Sequence, residues 1–299
     1  MNGKYVFPTI LGVIALITAC ASFFAYGHGV GLLNPQGVIA RQERALMLSA
    51  AVIMLVVVVP VFVLTFGIAW RYRASNTRAE YRPNWEHSRA QELVWWVVPM
   101  VIIALLAVVT WRVSHTLDPF RPIDSRTPEL TVEVVALDWK WLFIYPAQGI
   151  ATINYLAIPE KTPIAFKLTS DAPMNAFWIP QLGGQEMAMP GMVTQIHLMA
   201  DAPGTYEGFS SNISGAGFAS MHFPVYSMNT SDFTAWAART QQVSSLLTFT
   251  AYKQLAQPSQ NTAAAFFRVT DPYLYTDIVM QYMMPTASTS VSRMAAPAP

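Results

Sequence analysis

Two long uncharged runs dominate the first part of the chain. They cover 45–70 and 93–111, and each is long enough to cross about 30 Å of hydrocarbon as a helix. Each contains a proline (Pro60, Pro99), which a membrane helix tolerates because neighbouring helices can satisfy the freed carbonyl. Tryptophans lie near the ends of both runs, as in the aromatic belts of membrane interfaces. The pattern predicts a transmembrane helical hairpin over 45–113.

The segment between the two runs, 71–92, indicates their orientation. It contains five arginines, and short loops rich in Lys and Arg stay on the cytoplasmic side of a membrane. The connector at 20–44 and everything after the second helix are therefore predicted to be extracytoplasmic.

The pattern changes after residue 128. Stretches such as 131–136, 164–169 and 193–198 alternate apolar and polar residues, and Gly- and Pro-containing turns separate them. This spacing predicts one β domain over 128–228, an antiparallel sandwich or barrel. Residues 229–285 are helical in pattern, with Ser231 as a candidate cap and further helices at 246–256 and 273–284. The composition of 286–299 predicts a disordered tail.

The first residues resemble a bacterial lipoprotein signal. Lys4 precedes a short apolar segment, and small residues come just before Cys20. This predicts a signal peptide over 1–19, with a lipid attached to Cys20 after cleavage. An uncleaved signal anchor is the alternative.

The composition agrees with a membrane protein. The chain is 53% hydrophobic and 12% charged, against about 25% charged residues in soluble domains. A net charge of +1 gives no reason to propose nucleic acid as a partner. The motifs of nucleotide-binding loops, serine hydrolases and zinc proteases do not occur in the sequence.

The stretch 208–228 has the spacing of a metal loop without the ligands. Ser210, Ser214, Phe218 and Met221 stand where Cys, Cys, His and Met would form a soft-ligand copper site. Hydroxyls, a phenyl ring and one thioether do not make such a site. His197 and His222 have no second histidine or carboxylate at ligand spacing, which favours structural roles for both.

Two other features have alternative interpretations. Glu92 begins the second apolar helix, where it either complements the helix dipole or collects protons at the membrane boundary. Trp139 and Trp141 are predicted to project from one face of a strand, as a core cluster or as an electron-entry or docking surface.

With these residues in view, the chain resembles subunit II of haem–copper respiratory oxidases, in the quinol-oxidase branch. The likeness covers nearly the whole chain. The motifs that carry it are RYRASN and PNWEHS in the arginine-rich loop, then ELVWWVVP, DWKWLFIYPAQGIAT, MNAFWIPQLG, AMPGM, PGTYEG and SGAGFASM.

The resemblance implies a cupredoxin-like Greek-key fold for the β domain, beside the membrane α-hairpin and the C-terminal helical extension. In the cytochrome c oxidase branch this domain holds a dinuclear copper centre, CuA. The matching positions in this chain are Asn175, Ser210, Asn212, Ser214, Phe218 and Met221. The resemblance therefore implies no copper in this chain and no electron transfer from cytochrome c, with Trp139 and Trp141 left as packing residues.

The resemblance also implies the partners. Subunit I would carry the haems, CuB and the site for ubiquinol, and this chain would cap and stabilise it at the periplasmic face of a bacterial inner membrane, together with further small membrane subunits. Glu92 matches a glutamate at the cytoplasmic mouth of a proton pathway, the K-channel. The rival interpretations are a CuA-bearing cytochrome c oxidase subunit and a lipid-anchored scaffold or binding protein.

Overall fold

The computed structural model describes residues 22, 31–80 and 87–283. The predicted signal peptide at 1–19, Cys20 and the predicted tail at 286–299 lie outside the described residues. The chain divides into two compact units. One contains residues 42–118, and the other contains the β domain within residues 119–299 together with the chain before residue 42.

Two helices are long and apolar enough to cross a membrane. Helix α1 covers Val38–Arg71 and helix α2 covers Arg89–Thr116, with mean hydropathies of 3.0 and 2.6 in their most apolar windows. Both extend beyond the uncharged runs that predicted them. Helix α1 begins inside the predicted connector because the charged residues before residue 45 are good helix formers, so they bound the apolar run without ending the helix.

Two sheets form the β domain. The first has the strand order β11-β3-β2-β1-β5-β8 and the second has the order β4-β10-β9-β6-β7. Their bounds are β1 Leu130–Leu137, β2 Lys140–Tyr145, β3 Ile150–Ile153, β4 Leu156–Pro159, β5 Ile164–Ser170, β6 Asn175–Trp178, β7 Gln185–Ala188, β8 Thr194–Leu198, β9 Gly204–Ser210, β10 His222–Met228 and β11 Ala265–Arg268.

Two strand pairs differ from the predicted antiparallel arrangement. Strand β1 pairs in parallel with β5, and β4 pairs in parallel with β10. The chain leaves the first sheet after β3, places β4 in the second sheet and returns with β5, so these strands meet non-sequential neighbours. Alternation along a strand indicates its two faces, but it carries no information about which strand lies beside it.

The C-terminal extension adds helices and a strand. The helices are α3 Thr230–Thr240, α4 Phe249–Leu255 and α5 Leu274–Met280, while β11 pairs antiparallel with β3 at the sheet edge. The extension is therefore not entirely helical as its sequence pattern indicated. The cap of α3 is Asn229, whose side chain accepts a hydrogen bond from the Asp232 N–H, rather than the predicted Ser231.

The extension creates a second hydrophobic core. One core fills the space between the two sheets, where Trp141, Phe177 and Phe223 pack together. The other lies on the outer face of the first sheet, beneath the extension; its buried residues include Val135, Leu142, Ile153, Leu247, Tyr252, Leu274 and Ile278. Because both faces of this sheet are covered, every residue of β2 is buried.

Polar contacts also attach the extension to the sheet. The buried Lys140 donates hydrogen bonds to the Gln257 carbonyl at 2.7 Å and to the Ser259 hydroxyl at 2.5 Å. Asp171, just after β5, accepts hydrogen bonds from the hydroxyls of Tyr252 and Tyr282.

Candidate functional site

The six positions that the resemblance matched to copper ligands lie around one end of the second sheet. Strands β9 and β10 pair antiparallel, and the loop between them contains a short 3-10 helix, Phe218–Ser220. Strand β6 pairs with the other side of β9 and begins at Asn175. The sheet thus brings Asn175 next to a loop that is distant in sequence.

Asn175, Ser210 and Asn212 form one hydrogen-bonded cluster. The Ser210 hydroxyl donates to the Asn175 side-chain oxygen at 3.1 Å, and it lies 3.2 Å from the Asn212 carbonyl. The Asn175 amide donates to the Pro173 carbonyl at 2.7 Å, and the Asn212 amide donates to the Met174 carbonyl, also at 2.7 Å. Asn175 and Ser210 are buried, so these bonds satisfy polar groups that would be costly to leave unpaired.

Phe218 and Met221 lie in the loop that follows β9, next to Ser210. The Ser210 N–H donates to the Met221 carbonyl at 3.1 Å, which joins the end of β9 to the end of the loop. Ser210, Phe218 and Met221 together line an open groove of about 470 Å³. Glu207 and His222 also line it, with the His222 Nδ1 atom 4.0 Å from a Glu207 carboxylate oxygen across the β9–β10 pair. His222 thus has a nearby carboxylate that its sequence surroundings did not reveal.

Ser214 is held differently, through Trp139. The Trp139 indole N–H donates to the Ser214 carbonyl at 3.3 Å. The indole ring packs directly on the loop at Gly217, where an added Cβ would lie 2.3 Å from Trp139 Cγ. Any side chain at Gly217 would displace the indole, so this glycine makes the close approach possible.

The prediction that Trp139 and Trp141 project from one face of a strand is wrong. Trp139 lies in the tight turn between β1 and β2, with a left-handed backbone φ of 62°. Trp141 belongs to β2 and is fully buried, with its ring edge-on to Phe177 at 5.5 Å between centroids. The two rings therefore pack in different parts of the domain. Trp139 packs on the loop, and Trp141 packs in the core between the sheets.

The donor set at these positions does not fit a dinuclear copper centre. Such a centre requires thiolates that bridge the metals, and soft sulfur and imidazole ligands around them. The positions provide two hydroxyls, two amides, a phenyl ring and one thioether, and the single cysteine of the chain is Cys20. Three of these groups are already engaged with one another or with backbone carbonyls.

Glu92 lies in the first turn of α2, away from this cluster along the chain. Its backbone N–H donates to the Ser88 carbonyl at 3.0 Å, and its carboxylate lies 3.6 Å from His87 Nδ1. Both side chains are exposed in the described residues. The position near the helix N-terminus is favourable for a carboxylate, and the proton-pathway role stays a prediction.

The surroundings of two polar groups, one buried and one partly buried, could not be read from the sequence. His197 is nearly inaccessible; its Nδ1 lies 2.9 Å from the Pro119 carbonyl and its Nε2 lies 3.4 Å from a Glu129 carboxylate oxygen. This carboxylate belongs to a distant segment, so spacing along the chain gave no signal. Glu133, on the outer face of β1, has a pKa raised from 4.5 to about 7 because burial disfavours its charge, although Lys167 partly opposes the shift.

Comparison with known proteins identifies the family. The model of the cytochrome c oxidase subunit II periplasmic domain matches residues 146–228, and the COX Aromatic Rich Motif matches residues 241–286. The cytochrome bo(3) ubiquinol oxidase subunit 2 of Pseudomonas aeruginosa is 46% identical to this chain, over 86% of this chain and 77% of that protein. This chain belongs to the ubiquinol oxidase subunit 2 family.

Other members of the family are similarly close. The cytochrome bo(3) ubiquinol oxidase subunit 2 of Pseudomonas putida is 42% identical, over 92% of this chain and 87% of that protein. The ubiquinol oxidase subunit 2 of Acetobacter aceti is 46% identical, over 86% of this chain and 84% of that protein. The resemblance to the quinol-oxidase branch is confirmed, as is the fold class: two apolar helices, a cupredoxin-like β domain and a C-terminal helical extension.

Family membership establishes the general role. The chain is a subunit II of a haem–copper oxidase and belongs to a ubiquinol oxidase complex, which is an oxidoreductase. Its partner in such a complex is the subunit that carries haem and CuB. The two apolar helices agree with a membrane-anchored protein. The aromatic-rich motif coincides with most of the extension that covers the outer face of the first sheet.

Proposed function

We propose that this chain is a non-redox subunit II, one whose β domain holds no CuA centre and carries no electrons. The observation that supports this most directly is the buried Asn175–Ser210 hydrogen bond, at two positions that hold His and Cys ligands in the copper-bearing branch. These side chains form a closed polar cluster with Asn212. Electrons then enter the complex from ubiquinol at the partner subunit, not through the β domain.

The proposed reaction of the whole complex is ubiquinol oxidation by oxygen. Two ubiquinol molecules are oxidised to ubiquinone, and their four electrons and four protons convert one O2 to two water molecules. Subunit I holds the haems, CuB and the quinol site, and couples the reaction to proton translocation. This chain caps and stabilises subunit I, while further small membrane subunits complete the assembly.

The proposed topology places the β domain in the periplasm and the arginine-rich loop 71–92 in the cytoplasm of a bacterial cell. The positive-inside rule supports it, since five arginines lie in this short loop. Glu92 is then at the cytoplasmic end of α2, where it can take up protons for subunit I. In the same topology, a lipid on Cys20 would attach the processed N-terminus to the periplasmic leaflet.

Metal analysis of the purified oxidase complex tests the non-redox role. After subunit II is separated from the haem-bearing partner, we expect no thiolate-bound copper in it and no near-infrared band. A matched gain-of-function variant combines Asn175→His, Ser210→Cys, Asn212→Glu, Ser214→Cys and Phe218→His. This variant should acquire thiolate-bound copper, which shows that the method detects a site here. Stoichiometric copper with a near-infrared band in the unaltered chain would contradict the proposal.

A further inference from the structure

Four methionines occur in two matching turns of the β-domain unit. The first turn, Met189–Met192, follows β7 and closes with a hydrogen bond from the Met192 N–H to the Met189 carbonyl at 3.3 Å. The second, Met280–Met283, ends α5 and closes with a bond from the Met283 N–H to the Met280 carbonyl at 3.0 Å. Each turn thus has the sequence Met-x-x-Met.

The two turns approach each other closely at Gly191. This residue has a φ of +69°, and a Cβ added to it would lie 3.1 Å from Tyr282 Cβ and 3.9 Å from the Tyr282 carbonyl carbon. Met192 follows Gly191 and Met283 follows Tyr282, so the backbone positions of these two methionines are close to each other. Successive residues are about 3.8 Å apart along the backbone, so two methionine side chains can span the remaining separation.

One strand end holds both turns in place. The Thr169 hydroxyl, near the end of β5, donates to the Met189 carbonyl at 3.3 Å. Asp171, two residues further on, accepts the hydrogen bond from the Tyr282 hydroxyl. The juxtaposition of the turns is therefore built into the sheet and does not depend on the methionine side chains themselves.

The thioethers are accessible. Met192, Met280 and Met283 are 52%, 38% and 59% exposed, and Met189 is half-buried. Among the described residues there is no group of three or more His, Cys, Asp or Glu side chains that could hold a metal ion. A ligand set made of neutral, soft sulfur atoms selects Cu(I), or its analogue Ag(I), over hard or borderline divalent ions.

We propose that the paired turns Met189–Met192 and Met280–Met283 form a surface site for a soft monovalent metal ion, Cu(I). The ligands are neutral thioethers and three of the four methionines are exposed, so the metal exchanges readily with other soft-ligand carriers. Thioethers carry no proton at physiological pH, so Cu(I) binding releases none, in contrast to binding by cysteine or histidine. The site is distinct from the Asn175–Ser210 cluster and does not depend on the non-redox role.

Leucine substitution separates metal binding from simple apolar contact. Leu keeps the size and hydrophobicity of Met, and such volume-conserving exchanges are well tolerated, but it removes the sulfur. The test variant is Met192→Leu with Met283→Leu. The matched control is Met174→Leu, which removes an exposed thioether (41%) from a different loop. Ubiquinol oxidase activity should be unchanged in both variants.

The measurement is competition for Cu(I) between the intact purified oxidase and a chromogenic Cu(I) chelator, with ascorbate present. We expect one exchangeable Cu(I) beyond the copper of the haem-bearing subunit, with sulfur-only coordination by X-ray absorption and an affinity independent of pH between 5.5 and 7.5. The double variant should bind it at least about tenfold more weakly, and the Met174→Leu control should bind it normally. Undiminished binding in the double variant, nitrogen or oxygen coordination, or no exchangeable Cu(I) at all would overturn the proposal.

Discussion

Glu133 should make the attachment of the C-terminal extension dependent on pH. Its carboxyl group lies on the outer face of β1, beside a cavity of about 100 Å³ that Leu274 and Tyr275 of α5 also line. Lys167 is its partner across the β1–β5 pair, and Asp271 lies at the same cavity. Burial beneath the extension raises the pKa of Glu133 from 4.5 to about 7. The proton is therefore held more tightly when the extension is attached.

The direction follows from this linkage. Because the pKa is higher in the folded state, the contribution of Glu133 to stability is fully present below pH 4.5 and is lost as the pH rises through about 7. The full shift corresponds to roughly 3 kcal/mol. The carboxyl group remains partly accessible, and solvent screening reduces the expected effect to about 1–2 kcal/mol.

Hydrogen exchange in the intact purified complex measures the effect on helix α5. After correction for the intrinsic pH dependence of exchange, the free energy of opening for Leu274–Met280 should fall by about 1 kcal/mol between pH 5.5 and 7.5. Glu133→Gln mimics the protonated acid, so it should abolish the slope and keep the protection seen at low pH. Glu207→Gln, on the other sheet, should leave the slope unchanged. A slope of the same size in Glu133→Gln would refute the reasoning.

Three further predictions concern the membrane boundary, the loop and the extension. Glu92→Gln should lower ubiquinol oxidase turnover several-fold at normal haem content if this carboxylate supplies protons, and unchanged turnover would leave it a helix-dipole role alone. Gly217→Ala should lower the free energy of unfolding by about 1–3 kcal/mol, because its Cβ would overlap the indole of the β1–β2 turn. In the control Gly204→Ala the added Cβ meets nothing closer than 3.4 Å, and equal melting temperatures of the two variants would contradict the packing argument. Tyr252→Phe removes a partly buried hydrogen bond to Asp171 and should lower the free energy of opening of the extension, measured by hydrogen exchange, by about 1–2 kcal/mol. Unaltered exchange would show that this bond contributes nothing.

The membrane helices could be predicted because lipid imposes a simple rule on sequence. A long uncharged run has few alternatives to a spanning helix. The ends of these helices were less accurate, since charged residues limit a hydrophobic run without limiting helical structure. Alternation likewise indicated the β domain, because one face of each strand packs into the core between the sheets.

The rest depends on interactions that only the folded chain defines. The sequence Ala265–Arg268 does not alternate distinctly, and it becomes a strand because the edge of β3 is available to pair with it. Trp139 occupies a left-handed turn position that usually favours glycine. The strained backbone is offset by packing of the indole on Gly217 and by its hydrogen bond to the Ser214 carbonyl, both far away in sequence. Glu133 fills a polar position that alternation assigns to solvent, and the extension then covers it.

The electron donor of the purified complex tests the central proposal most directly. Oxygen consumption should be rapid with ubiquinol and absent with reduced cytochrome c, because the six positions matched to the copper ligands provide no thiolate or imidazole for a copper centre that could receive electrons from a docked protein. The copper-restoring variant gives a reference for the spectrum of an occupied site. Sustained oxygen consumption with reduced cytochrome c, accompanied by a near-infrared copper band in the unaltered chain, would contradict the account.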